Sequence, residues 1–177
     1  MLQLRLATVA DEPVMRELMN RAIAELLKPY LPRDGVTASF EIMGLDSQLI
    51  ADGTYFAVTG NGRIVGCGGW SRRATLFGGD HTAGRNAALL NPKTEPARVR
   101  AMYTDPAHVR RGIGRMVLDA CEEAARAEGF SSVELAATLA GEPLYRACGY
   151  DVIERFTSRT SAGVEVPLLR MGKRLRQ

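Results

Sequence analysis

The sequence predicts a mixed α/β domain in which helices cover a largely antiparallel sheet, in the order β-α-α-β-β-β-α-β-α-β-β. Three observations carry that prediction. Leu2, Leu4 and Leu6 alternate with polar residues, the period of a half-buried strand. Val14, Leu18, Ala22 and Leu26 recur at i, i+4, the apolar stripe of an amphipathic helix. Tyr55–Val58 and Ile64–Gly66 flank Gly60-Asn61-Gly62, and Asn-Gly between apolar runs is a strong hairpin signal.

The first strand covers residues 2–7. Asp11 is the expected N-cap of the first helix, Pro13 fits its first turn, and Pro29 and Pro32 end it. A second helix is expected from Thr37 to Ile50, closed by Asp52-Gly53, and Trp70 closes the second strand of the hairpin. Residues 72–96 are rich in turn formers and have no clear period; connections of that length are often functional. Arg98–Thr104 reads as a strand with Val99, Ala101 and Tyr103 on one face and Arg100 and Met102 on the other. A helix from Gly112 to Glu128 buries Val117, Ala120, Cys121 and Ala124, with Gly129 just past its end. Val133 and Leu135 mark a further strand, Glu142–Cys148 a short helix, and residues 150–158 and 164–170 a closing antiparallel pair.

At 177 residues the chain suits a single domain, 1–177, with a full core. Apolar and charged fractions of 46% and 24% are those of an ordinary globular protein. A formal charge of +3 is too mild to argue for nucleic acid. The run Arg170…Lys173-Arg174…Arg176 reads as a solvated tail. The scattered cysteines Cys67, Cys121 and Cys148 suit a reducing cytosol and small buried roles. With His81 and His108 the only histidines and no clustered ligand spacing, no metal site is expected. The opening MLQLRLATVADEP reads as neither signal peptide nor membrane span, so a cytoplasmic protein with no membrane partner is expected.

The chemistry concentrates in Val99–Gly114, VRAMYTDPAHVRRGIG. A strand ends at Asp105-Pro106, and Arg110-Arg111-Gly112-Ile113-Gly114 opens a helix. Glycines there let backbone approach a ligand, while free amides and the helix dipole favour an anion such as a pyrophosphate. Arg110, Arg111 and Arg115 add charge. Walker A spacing is absent, and a dinucleotide fingerprint would need glycine where Val117 stands.

This run resembles the cofactor-binding motif of the GNAT superfamily of N-acetyltransferases, roughly Q/R-x-x-G-x-G/A. The segment Ala137–Tyr150, with Tyr145-Arg146-Ala147-Cys148-Gly149-Tyr150, is similar to the family's second motif, a strand followed by YxxxGF. The match is strong over residues 97–150, and the element order extends it to nearly the whole chain. The resemblance implies a GNAT-like acyl-CoA N-acyltransferase fold in which the strands at 98–104 and 132–138 splay apart around acetyl-CoA. Met102, Tyr103 and Thr104 would pair with the pantetheine arm. Val109, Arg110, Arg111, Gly112, Ile113, Gly114 and Arg115 would hold the pyrophosphate, and Tyr145 would protonate the departing thiolate. Two positions depart from the pattern: Val109 replaces the usual Gln or Arg, and Thr138, counted with the cofactor site, replaces a frequent Asn.

The implied reaction moves an acetyl group from acetyl-CoA to a primary amine of a small molecule or peptide, in a ternary complex. The alternative is a non-catalytic acyl-CoA-binding sensor, favoured by the lack of a strand carboxylate, since Arg98 and Arg100 stand where some members carry Glu. Glu95, Asp80, His81 and Glu41 are the nearest candidate bases, with a water chain as an equal alternative. The first two helices and the 72–96 loop are expected to set acceptor specificity, with Tyr30, Phe40, Trp70 and Phe77 as candidate walls. The family also suggests a homodimer, which no residue here supports.

Overall fold

A computed structural model describes residues 1–177. Seven strands form one sheet: β1 (Leu2–Leu6), β2 (Tyr55–Gly60), β3 (Arg63–Ser71), β4 (Ala97–Thr104), β5 (Ser132–Ala137), β6 (Asp151–Arg159) and β7 (Glu165–Arg174). Their spatial order is β1-β2-β3-β4-β5-β7-β6. Every neighbouring pair is antiparallel except β4–β5. Five helices, α1 (Glu12–Leu26), α2 (Arg33–Ile42), α3 (Ser47–Ala51), α4 (Ile113–Ala127) and α5 (Glu142–Ala147), cover the sheet. On one face α1 and α3 bury Met15, Leu18, Ile23 and Leu49 against Tyr55, Ala57, Cys67 and Tyr103. On the other, α4 and α5 bury Val117, Leu118, Cys121 and Tyr145 against Val65, Val99, Val133 and Leu169. No helix is long and apolar enough to cross a membrane.

The element order is that expected, with five local corrections. The helix expected over 37–50 is two helices, α2 and α3. Met43 is extended and Gly44 takes φ +143°, so the helix stops there; buried Asp46 then caps α3 by accepting from the Gln48 amide at 3.1 Å. Asp11 does not cap α1 through its side chain. Its carboxylate reaches back to the Thr8 amide at 2.8 Å and grips Arg5 at 2.7 and 2.8 Å. In α4 the buried stripe is Ile113, Val117, Leu118, Cys121 and Ala125, with Ala120 and Ala124 at its margin. The basic run near the C-terminus is not a solvated tail. β7 extends to Arg174, pairs with β5 over Leu169–Arg174, and sets Lys173 against the buried Glu122.

The correction that matters for the site lies in β4. Cys67 pairs with Tyr103 and Gly69 with Arg100, so Gly68 alone faces both Ala101 and Met102. This is a β-bulge, with Ala101 at φ +50°. It reverses the alternation, sending Val99 to the α4 face and Tyr103 to the α1 face. The fully buried Tyr55 fixes the bulge, its hydroxyl donating to the Ala101 carbonyl at 2.8 Å.

Candidate functional site

β4 and β5 pair only at Ala97–Val133 and Arg98–Glu134. Beyond Arg98 they diverge, while β4 stays paired with β3 as far as Thr104. The β5-facing edge of residues 99–104 therefore has no strand partner, and buried backbone groups of that kind require one. Two cavities meet at this opening, and both are lined by Met102, Tyr103, Thr138, Gly141 and Tyr145.

The larger, about 660 Å³, runs along the start of α4. It gathers Met102, Tyr103 and Thr104 from β4, Val109 and Arg110 from the loop, and Gly112, Ile113, Gly114 and Arg115 from the helix start. Thr138 and Tyr145 complete its far wall. Of the residues expected at the cofactor site, Arg111 alone does not line it. The loop turns into α4 through two left-handed residues, Arg110 at φ +61° and Gly112 at φ +79°; the second suits glycine, which has no Cβ to clash. No side chain caps α4, so its first amides remain free for an anion. A Cβ on Gly114 would stand 2.6 Å from Leu144 Cδ2, so glycine there allows α5 to close against the start of α4.

The smaller cavity, about 110 Å³, lies toward α2 and the 72–96 loop and is lined by Ile42, Leu76, Phe77, Arg100 and Leu168 among others. That loop is held by polar contacts. Arg85 binds Asp46 at 2.7 Å and Arg73 binds Asp52 at 2.8 Å. Thr75 donates to the Asn86 carbonyl at 2.8 Å, and Thr82 to the Glu41 carbonyl at 2.9 Å. Asp46, 1% exposed, also faces Arg100 at 3.1 Å. The Arg100–Asp46–Arg85 cluster went unrecognised in the sequence because its members lie 39 and 54 residues apart with no motif to join them.

Tyr145 packs edge-on against Tyr150 at 5.8 Å, and its hydroxyl has no protein hydrogen-bond partner. Burial pushes its phenol well above the ordinary tyrosine range. Burial also raises Tyr103, whose hydroxyl accepts from the Gly44 amide at 2.9 Å. Thr138 accepts from the Gly141 amide at 3.1 Å, turning the chain into α5.

The four candidate bases are all placed elsewhere. Glu95 accepts from the Asn91 amide, Asp80 from Ser47, and Glu41 from the Ser161 amide, while His81 Nε2 donates to the Phe40 carbonyl at 2.7 Å. None lines either cavity. Among the expected acceptor walls, Tyr30 lines the larger cavity and Phe77 the smaller. Trp70 instead packs against Phe130 in the core, and Phe40 lines a separate recess beside Arg21 and Asp105.

A strand pair that opens at a bulge, beside a glycine-rich helix start, defines a class, and residues 15–150 match the acetyltransferase (GNAT) family. The chain belongs to that family. Solved structures share its fold. A GCN5-related N-acetyltransferase from Rhodopseudomonas palustris superposes with a TM-score of 0.72 at 19% identity, covering 98% of this chain and 95% of that one. YncA, a putative acetyltransferase from Salmonella typhimurium solved with its cofactor acetyl-CoA, gives 0.65 at 18% identity, over 100% and 95%. The PaiA N-acetyltransferase from Thermoplasma acidophilum, in complex with coenzyme A, gives 0.65 at 10% identity, over 98% and 99%. No curated protein sequence matches the chain.

Proposed function

We propose that the protein is an N-acetyltransferase that moves an acetyl group from acetyl-CoA to a primary amine by direct attack in a ternary complex. The observation that carries this reading is the opening of β4 from β5 at the Ala101 bulge, with Tyr145 lining both cavities that meet there. Acetyl-CoA supplies an acyl group already activated as a thioester. The unpaired edge of residues 102–104 is suited to an amide-bearing arm, and the free amides at the start of α4, with Arg110 and Arg115, to a pyrophosphate.

The chain's own groups then have three tasks. The residues shared by the two cavities set the amine against the carbonyl carbon, and alignment of that kind supplies much of the rate. A backbone N–H at the bulge near Met102 receives the charge that develops on oxygen as the C–N bond forms. The Tyr145 hydroxyl gives its proton to the sulfur as the C–S bond breaks, and the proton lost by the amine passes to water. Tyrosine is protonated at neutral pH, the form the role needs, and burial moves Tyr145 further from ionisation. Cys67 is the thiol in the larger cavity. Burial pushes it up to about 12, so it stays protonated and is a poor candidate for an acyl-enzyme.

The test is thermal unfolding with acetyl-CoA, CoA, ATP and NAD in parallel, followed by CoA release on an amine panel. Acetyl-CoA and CoA should stabilise by about 2.7 kcal/mol at a hundredfold excess over Kd, and ATP and NAD should not. Equal shifts by all four, or CoA stabilisation without turnover of any amine, would sink the proposal.

A further inference from the structure

We infer that the acceptor is a small amino acid, bound by its carboxylate to Arg100; this rests on the transferase reading above. Arg100 is the only ionisable side chain lining the smaller cavity apart from the two tyrosines. It is 4% exposed, and both of its polar contacts, to the Gly78 carbonyl and to Asp46 Oδ2, use the same nitrogen, Nη2. Nε and Nη1 make no hydrogen bond within the protein. Nε and Nη1 lie on different edges of the guanidinium, both of which share the occupied Nη2, so each offers a carboxylate a single charge-assisted hydrogen bond. Asp46 does not cancel it, because Asp46 is shared with Arg85 at 2.7 Å.

The rest of the cavity agrees. It holds no carboxylate to receive an ammonium, which argues against polyamines and other polycations as acceptors. Its volume of about 110 Å³ suits a compact molecule. Ile42, Leu76, Phe77 and Leu168 suit a short aliphatic side chain. The absence of an imidazole or carboxylate also poses a problem that Arg100 eases. In a free amino acid the carboxylate stabilises the neighbouring ammonium. Pairing that carboxylate with a guanidinium removes the stabilisation and favours the neutral, nucleophilic amine.

The experiment follows CoA release from acetyl-CoA with glycine, alanine, leucine and β-alanine, each beside its amide, with isopentylamine and spermidine as amines lacking a carboxylate. We expect kcat/KM for the best amino acid to exceed that of its amide by at least about 100-fold, since the amide brings no negative charge to the buried donors that Asp46 and Gly78 leave free. Arg100→Lys keeps the charge near Asp46 and loses the free Nε and Nη1 donors. It should cost the amino acid at least about 10-fold in kcat/KM and change the amide by less than about 3-fold. Amides or spermidine turned over as well as the acids would overturn the inference and leave the transferase standing. A loss in Arg100→Lys shared equally by acid and amide would also overturn it, showing Arg100 to be structural. Should the variant not fold, the acid-against-amide ratio on the native protein decides. No release with any amine, from a protein that acetyl-CoA stabilises, removes the transferase reading and the inference together.

Discussion

The two sides of the β4–β5 opening are built by different means. The α4 side is backbone: two left-handed residues, uncapped amides and a bare strand edge, with exposed arginines at the rim. The α2 side is side chain: a buried guanidinium, a carboxylate shared between two arginines, and a loop tied down by polar contacts. A backbone site tolerates side-chain change and accepts one repeating chemical group. A side-chain site is specific and fragile. The comparison predicts where substitutions will damage the fold and where they will damage only the reaction.

The largest expected effect is on the side-chain half. Asp46→Ala leaves the buried Arg100 and the half-buried Arg85 without their shared partner. It should cost about 3–5 kcal/mol in urea unfolding. Arg115→Ala, exposed at the rim of the other half, should stay within about 0.5 kcal/mol. Similar losses in both would break the distinction.

Next comes the residue shared by both halves. Tyr145→Phe should lower kcat by about 10²–10³-fold. Stability should change by less than about 1 kcal/mol, because the hydroxyl has no protein partner to lose. The pH dependence follows from the raised phenol. A tyrosine acting as an acid works while protonated, so kcat should show no fall attributable to it up to about pH 10, its ordinary value. A loss of activity near pH 8 that disappears in Tyr145→Phe would contradict the role.

The same division explains what could be read from the sequence. The helix start was legible because Gly112 and Gly114 are spaced by local geometry, and because Tyr145 on the short helix α5 sits a fixed distance before Gly149, just past its end. The bulge at Ala101 was not legible. Alanine carries no signal for φ +50°, and the extra residue is fixed by Tyr55, 46 residues away in sequence. The strict alternation expected of Val99, Ala101 and Tyr103 therefore failed where the site needed it to fail. The single helix expected over 37–50 failed at Gly44, a residue of low helix propensity that takes φ +143° and lets Asp46 start α3. The basic run near the C-terminus was misread because β7 takes its partner from β5, 34 to 42 residues earlier.

A smaller effect tests whether the closure of α5 on α4 belongs to the backbone half. The added methyl of Gly114→Ala meets Leu144 Cδ2, the far end of a side chain that can turn away. The stability loss should be about 1 kcal/mol, with a several-fold weaker affinity for acetyl-CoA in isothermal titration. Gly114→Ala combined with Leu144→Ala should recover affinity relative to the single variant. Failure to recover would mean that the methyl blocks the ligand directly.

The smallest effect concerns the rim. Arg110 and Arg115 line the larger cavity and Arg111 does not, although all three are exposed. Exposed charges interact weakly and are screened over about 10 Å at 0.1 M salt. Arg110→Ala and Arg115→Ala should each weaken acetyl-CoA by roughly 2- to 5-fold at low ionic strength, the difference shrinking as salt is raised. Arg111→Ala should leave the affinity unchanged at every salt concentration. If all three substitutions weaken binding alike, the arginines act as a diffuse field over the helix start. If only Arg110 and Arg115 do, their place in the lining matters, and even this mostly backbone site takes part of its selectivity from side chains.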